Sequence, residues 1–145
     1  MDGNGELWVQ HRDKAERALE EAQLLFDNGF FDGAVSRSMA SCIQMAKAAA
    51  VRLGKDDDPP ELFLRIRKMT KDGRLAEGIE RPFGEIMKAH SQELQNTLEN
   101  DIDRARESIV LTRTFHRLIH SAMELSISLN SPKVRRAMAA RGMKF

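Results

Sequence analysis

The sequence predicts an all-α fold, an antiparallel helical bundle of four to five helices. Three observations carry that reading. Apolar residues recur at three- and four-residue steps along most of the 145-residue chain. Glycine and proline are scarce, at 9 and 4 residues. No stretch alternates β-branched and polar residues as a half-buried strand does. A chain of this length buries about two-thirds of the surface it exposes when unfolded, so a core forms without disulfides. The single cysteine, Cys42, has no partner within the chain.

The first helix is predicted from about Glu6 to Asp27, where Trp8, His11, Ala15, Ala18, Leu19, Ala22, Leu25 and Phe26 share one face. His11 on that stripe reads as a packed or edge histidine. Asn28-Gly29 ends the helix as a C-cap pair. The second helix spans about Phe31 to Leu53, with Asp32 near its start, where a carboxylate suits the helix dipole. Its inner face is Ala34, Ser38, Ser41, Cys42, Met45, Ala48 and Ala49, small enough for a neighbouring helix to approach closely. Cys42 in that company is expected to be a buried thiol.

Gly54 ends the second helix, and Lys55-Asp56-Asp57-Asp58-Pro59-Pro60 is a polar break. Three adjacent aspartates without spaced oxygen ligands or a distal glutamate do not make a calcium loop, so a solvated turn is expected. A shorter third helix opens at Pro59-Pro60-Glu61 and carries Leu62, Phe63, Ile66 and Met69. Lys71-Asp72-Gly73-Arg74 marks a break, and a fourth helix follows Pro82 with Phe83, Ile86, Met87, Leu94 and Leu98. The fifth and longest runs from about Asp101 to Leu129, its inner stripe Ile102, Ala105, Ile109, Thr112, Ile119, Met123 and Ile127. Phe115, Leu118 and Ala122 widen that stripe, so this helix meets more than one neighbour. Residues 1–130 thus read as one bundle domain. Residues 131–145 read as a basic tail or terminal helix with Lys133, Arg135, Arg136, Arg141 and Lys144, suited either to phosphates or an acidic partner or to loose packing on the bundle.

Charge is nearly balanced, 23 basic against 22 acidic residues, so bulk electrostatics do not point to nucleic acid. No stretch approaches the roughly 20 apolar residues of a membrane span. The polar, acidic opening Met1 to Glu6 is unlike a secretory signal, and a cytoplasmic location is expected.

Around the first helical turn, Ala18 to Ala49 reads ALEEAQLLFDNGFFDGAVSRSMASCIQMAKAA. This resembles the HEPN family, the nucleotide-binding-type helical bundles of higher eukaryotes and prokaryotes. The matching residues are Leu24, Leu25, Gly29, Phe30, Ala34, Arg37 and Lys47, and Met39-Ala40 stands where the family has an aromatic pair after the arginine. The resemblance implies binding of nucleotide or RNA, with Arg37 and Lys47 among the contacts. It also implies partnership with a nucleotidyltransferase in a toxin–antitoxin-like pair, and a homodimer. Physically, Gly29 can take the left-handed conformation that a tight reversal needs, and Phe30 and Phe31 are placed to close the core beneath it.

The fifth helix carries Arg113-Thr114-Phe115-His116-Arg117-Leu118-Ile119-His120, an Arg-x6-His spacing at the upper limit of the motif that the family's nucleases carry. Seven residues are close to two helical turns, so Arg113 and His120 point the same way. Arg106, Arg117 and Glu124 fall near the same stripe, and His116 lies between it and the core. An arginine can clamp a phosphate while a histidine moves the proton of a 2′-hydroxyl, and no metal is needed. On that reading His120 is the acid/base, Arg113 the clamp, and His116 a second proton carrier or orienter, with Arg106 and Arg117 binding the ligand. The same residues suit a solvated or interface face, the commoner use of arginine and histidine on so long a helix. One histidine i, i+4 pair without Glu-x-x-His from a second helix gives no expectation of a metal, and no cofactor is expected. Three functions therefore stand beside one another: a nucleotide- or RNA-binding partner module, a metal-independent endoribonuclease, and a structural dimeric bundle without ligand.

Overall fold

The computed structural model describes residues 3–95 and 102–130, with Arg136 and Ala140. Side chains are described from Glu6 to Ser91, from Ile102 to Glu124, and at 136 and 140. Five helices and no strand are present among the described residues: α1 (Gly3–Asp27), α2 (Phe31–Leu53), α3 (Leu62–Lys71), α4 (Glu80–Gln95) and α5 (Ile102–Asn130). Leu98 and the tail cations Lys133, Arg135, Arg141 and Lys144 lie outside the described residues, as do the side chains of Leu94 and Ile127.

The α1–α2 reversal shows how the sequence sets local geometry. Phe30 N–H donates to the Leu25 carbonyl at 2.8 Å and Gly29 N–H to that of Phe26 at 3.0 Å, the paired bonds of a Schellman turn. Gly29 sits at φ +80°, a conformation that a Cβ penalises. Phe31 packs its ring 5.7 Å from Phe26. Phe30 does not close the core as its sequence context suggests. It is 61 % exposed, because the turn directs it outward.

α2 is the central helix, packed against all four others. Its Ala34, Ser38, Ser41, Cys42, Met45, Ala46, Ala48 and Ala49 are buried, as the small-residue stripe requires. α5 runs parallel to α2, with Thr112 beside Ser38 and His116 beside Ser41. It is antiparallel to α1, with Arg106 over Phe26, Arg113 beside Gln23 and His120 beside Glu16. The inner stripe of α5 begins at Ala105, whereas Ile102, in the first turn, is exposed. On the other flank, Phe63 of α3, Phe83 of α4 and Phe115 of α5 form a column of nearly parallel rings, with centroids 5.8 and 5.2 Å apart.

α3 starts where Glu61 accepts the Phe63 and Leu64 N–H groups. α4 begins at Glu80, two residues before Pro82. Proline is tolerated there because a first-turn N–H has no intrahelical partner.

The Asp56–Asp58 turn is not merely solvated. The Asp58 side chain is fully buried and accepts hydrogen bonds from Arg74 Nη1 and Nη2 at 2.7 Å each, from Lys68 Nζ at 3.1 Å, and from the Lys55 N–H at 2.7 Å. Arg74 also donates to the Leu53 carbonyl and to Asp72. Asp58 and Arg74 together thereby tie the end of α2 and the last turn of α3 to the turn that leads into α4. Arg74 holds the Asp58 carboxyl far below the usual carboxylate range, against the opposing effect of burial.

Candidate functional site

In two antiparallel helices, a seven-residue step on one faces a seven-residue step on the other. Arg113 and His120 on α5 meet Gln23 and Glu16 on α1 in this way. Arg113 Nη2 donates to Gln23 Oε1 at 2.7 Å, and His120 Nε2 lies 3.5 Å from Glu16 Oε1. Glu16, Leu19, Glu20, Gln23 and Arg113 line a groove of about 440 Å³ between the helices. The hydrogen-bond partner of Arg113 there is a neutral amide, while Glu16 and Glu20 share the groove. Arg117, one turn on, is exposed, and so is Glu124. Arg106 lies over the Phe26 ring at 5.7 Å and pairs with Asp103 at 3.2 Å. The α5 side of this face is cationic and the α1 side acidic, so an anion is favoured on the outer edge along Arg113 and Arg117.

His116 does not join that face. It is 7 % exposed, and its Nε2 lies 2.7 Å from Ser41 Oγ, which in turn donates to the Ala15 carbonyl at 2.6 Å. Because the serine's one proton goes to that carbonyl, His116 Nε2 carries the proton that bridges to Ser41. Burial, with a smaller contribution from His120, pushes the His116 pKa down to about 4. It is a neutral core group joining α5, α2 and α1, which leaves His120 as the only histidine of the pair at the surface. Beside it Cys42 is buried, its thiol pushed up to about 12 by desolvation.

Arg37 and Lys47 lie elsewhere. Arg37 pairs with Glu21 at 2.8 Å in an α1–α2 groove shared with Lys14, Arg17 and Gln44. At about 100° per residue, Glu21 and Glu16 sit on opposite flanks of α1, so Arg37 and Arg113 cannot hold one ligand. Lys47 is exposed on α2. The residues that sequence reasoning missed are Glu16 and Gln23. Their own seven-residue spacing was the available signal, but only the antiparallel pairing of α1 with α5 makes it meaningful.

No family model, curated protein or solved structure matches the chain. A carboxylate 3.5 Å from an imidazole pairs with its protonated form, and an arginine two turns away offers a bidentate fork to phosphate. Among the described residues, no three His, Cys, Asp or Glu side chains converge as a metal site requires.

Proposed function

We propose that this chain is a HEPN-like helical module that binds nucleotide or RNA through the outer edge of its α1–α5 face. In this reading it acts in the cytoplasm as a homodimer and as the partner of a nucleotidyltransferase in a toxin–antitoxin-like pair. The observation that carries the proposal is the exposed α5 edge, where Arg113 is held by a neutral amide and Arg117 lies one turn away. Two exposed guanidinium groups one turn apart, able to meet successive phosphates, are the chemistry of sequence-tolerant RNA binding. The HEPN-like residues around Gly29 support the family part of the reading.

Polarisation titrations with a single-stranded RNA dodecamer across a salt series test it. Arg113→Ala/Arg117→Ala is expected to weaken binding and to flatten the log–log salt slope by about 1.4, two single-strand phosphate contacts at roughly 0.7 each. An unchanged slope refutes a role for this edge. The partner proposal predicts that a nucleotidyltransferase co-purifies with the chain.

The Glu16–His120 pair favours a second reading, a metal-independent endoribonuclease. Here His120 takes the proton of a 2′-hydroxyl as its oxygen attacks the neighbouring phosphorus, the P–O5′ bond breaks and the departing 5′-oxygen takes a proton from solvent, while Glu16 lies beside the imidazole and Arg113 neutralises the developing charge. It predicts RNA cleavage in EDTA that is lost in His120→Ala while the fold is kept. Cleavage that survives this substitution defeats the mechanism.

A further inference from the structure

A second groove lies far from the α1–α5 face. α1 packs on α2 and α5, whereas α3 packs on α2 and α4, so the two faces are on opposite flanks of the bundle. The groove between α3 and α4 has a volume of about 840 Å³, the scale of a site for a drug-sized ligand. Its lining includes Phe63, Arg67, Gly84 and Lys88.

Two features of this groove suit a flat ligand. The first is Gly84, inside helix α4, where glycine weakens the helix relative to alanine. Packing does not require it, because a Cβ there meets only Phe63 Cε2, at 3.9 Å, an ordinary contact. The missing side chain keeps open the space above Phe63. The second is the ring column. Phe63 is stacked on Phe83, which is stacked on Phe115, so one face of Phe63 is spoken for and it remains only partly buried, lining the groove. A partly exposed aromatic ring backed by two others, with a glycine beside its open edge, offers a rigid surface for stacking.

Charge sets what stacks there. Arg67 lies one turn beyond Phe63 and Lys88 one turn beyond Gly84, and both are exposed. The groove's acids are placed differently. Glu85 is paired with Arg81 at 3.2 Å, and Glu77 and Glu80 lie at the end near the α3–α4 turn, close in sequence to Gly78. A flat ring on Phe63 is thus flanked by cations, and an attached anion is favoured toward Lys88, away from Glu77 and Glu80.

We infer that the α3–α4 groove is a nucleotide site: the base stacks on Phe63 in the space that Gly84 leaves, and the phosphate is met by Lys88. The nucleotide is either free or part of an RNA strand. The inference stands apart from the proposed α1–α5 surface and shares no residue with it.

The test is calorimetric titration of the full chain with ADP and with adenosine, beside polarisation titration with a fluorescent oligoadenylate dodecamer. Phe63→Leu keeps the apolar volume but removes the stacking face, and is expected to weaken binding about tenfold or more. Gly84→Leu fills the groove and is expected to abolish binding. Gly84→Ala, by contrast, is expected to raise the melting temperature by about 2 °C, because packing tolerates it and the helix gains. Lys88→Ala should weaken ADP while leaving adenosine unchanged. If ADP responds to these substitutions, the site takes free nucleotide; if only the dodecamer responds, it takes a nucleotide within a strand. Binding of neither probe, or binding of both that Phe63→Leu and Gly84→Leu leave unchanged in folded protein, overturns the inference. Arg113→Ala/Arg117→Ala separates the two surfaces, since it should leave ADP binding intact whatever happens to the α1–α5 edge.

Discussion

Replacing Asp58 by asparagine removes one negative charge from the junction of α2, α3 and the turn into α4 while keeping the side chain's size. The Asp58 side chain is fully buried, and the guanidinium of Arg74, bound to it through two 2.7 Å bonds, is only 12 % exposed. Breaking a buried pair on one side typically costs about 3–5 kcal/mol, since the remaining charge stays desolvated. Asp72 still pairs with Arg74 at 2.7 Å, which places the expected loss near the lower end, about 3 kcal/mol. For a chain of this size that corresponds to a fall of about 10 °C in melting temperature. Urea unfolding followed by circular dichroism measures it directly. The difference between wild type and Asp58→Asn should change little with added salt, because screening reaches buried pairs weakly. It should also depend on pH in one direction. The folded-state pKa of Asp58 is depressed by Arg74, so its contribution is complete above the unfolded carboxylate pKa of about 4 and is lost as pH falls toward the folded value. A loss below about 1 kcal/mol at pH 7, the usual range of an exposed pair, would refute the clamp and restore the solvated turn.

His116 gives the opposite kind of pH test. Its pKa falls from 6.5 unfolded to about 4 folded, because burial disfavours the imidazolium. Its neutral form is accommodated above pH 6.5, and stability is expected to drop as pH falls from there to about 4, by roughly 3 kcal/mol in all. His116→Gln should flatten that part of the stability profile, and an identical profile in the variant removes His116 as its source. Gly29→Ala should destabilise the chain by about 1–2 kcal/mol through backbone strain alone, since nothing lies within 4 Å of the added Cβ; a neutral result in urea unfolding means the turn rearranges.

Much of the fold was legible because periodicity and end signals are local. The α2 limits, Phe31 and Leu53, agree with those expected from the small-residue stripe and Gly54, and Gly29 takes the backbone conformation expected of it. The departures arise where a neighbour distant in sequence decides. Asp58 reads as one of three loop aspartates until Arg74, sixteen residues away, reaches it. His116 and His120 read as a pair one turn apart, yet one points at Ser41 and the core and the other at Glu16 on the rim.

The sequence by itself determined the helices, their order, the tight α1–α2 turn and the inner stripe of α5 from Ala105 to Met123, because each depends on residues within a few positions of one another. It also placed Arg113 and His120 on one line, since 3.6 residues per turn requires it. Only the tertiary structure decided which α1 residues face them, that Arg37 belongs to another groove, and that Gly84 lies open above Phe63. Those relations follow from how helices pack, and packing joins residues that sequence spacing does not.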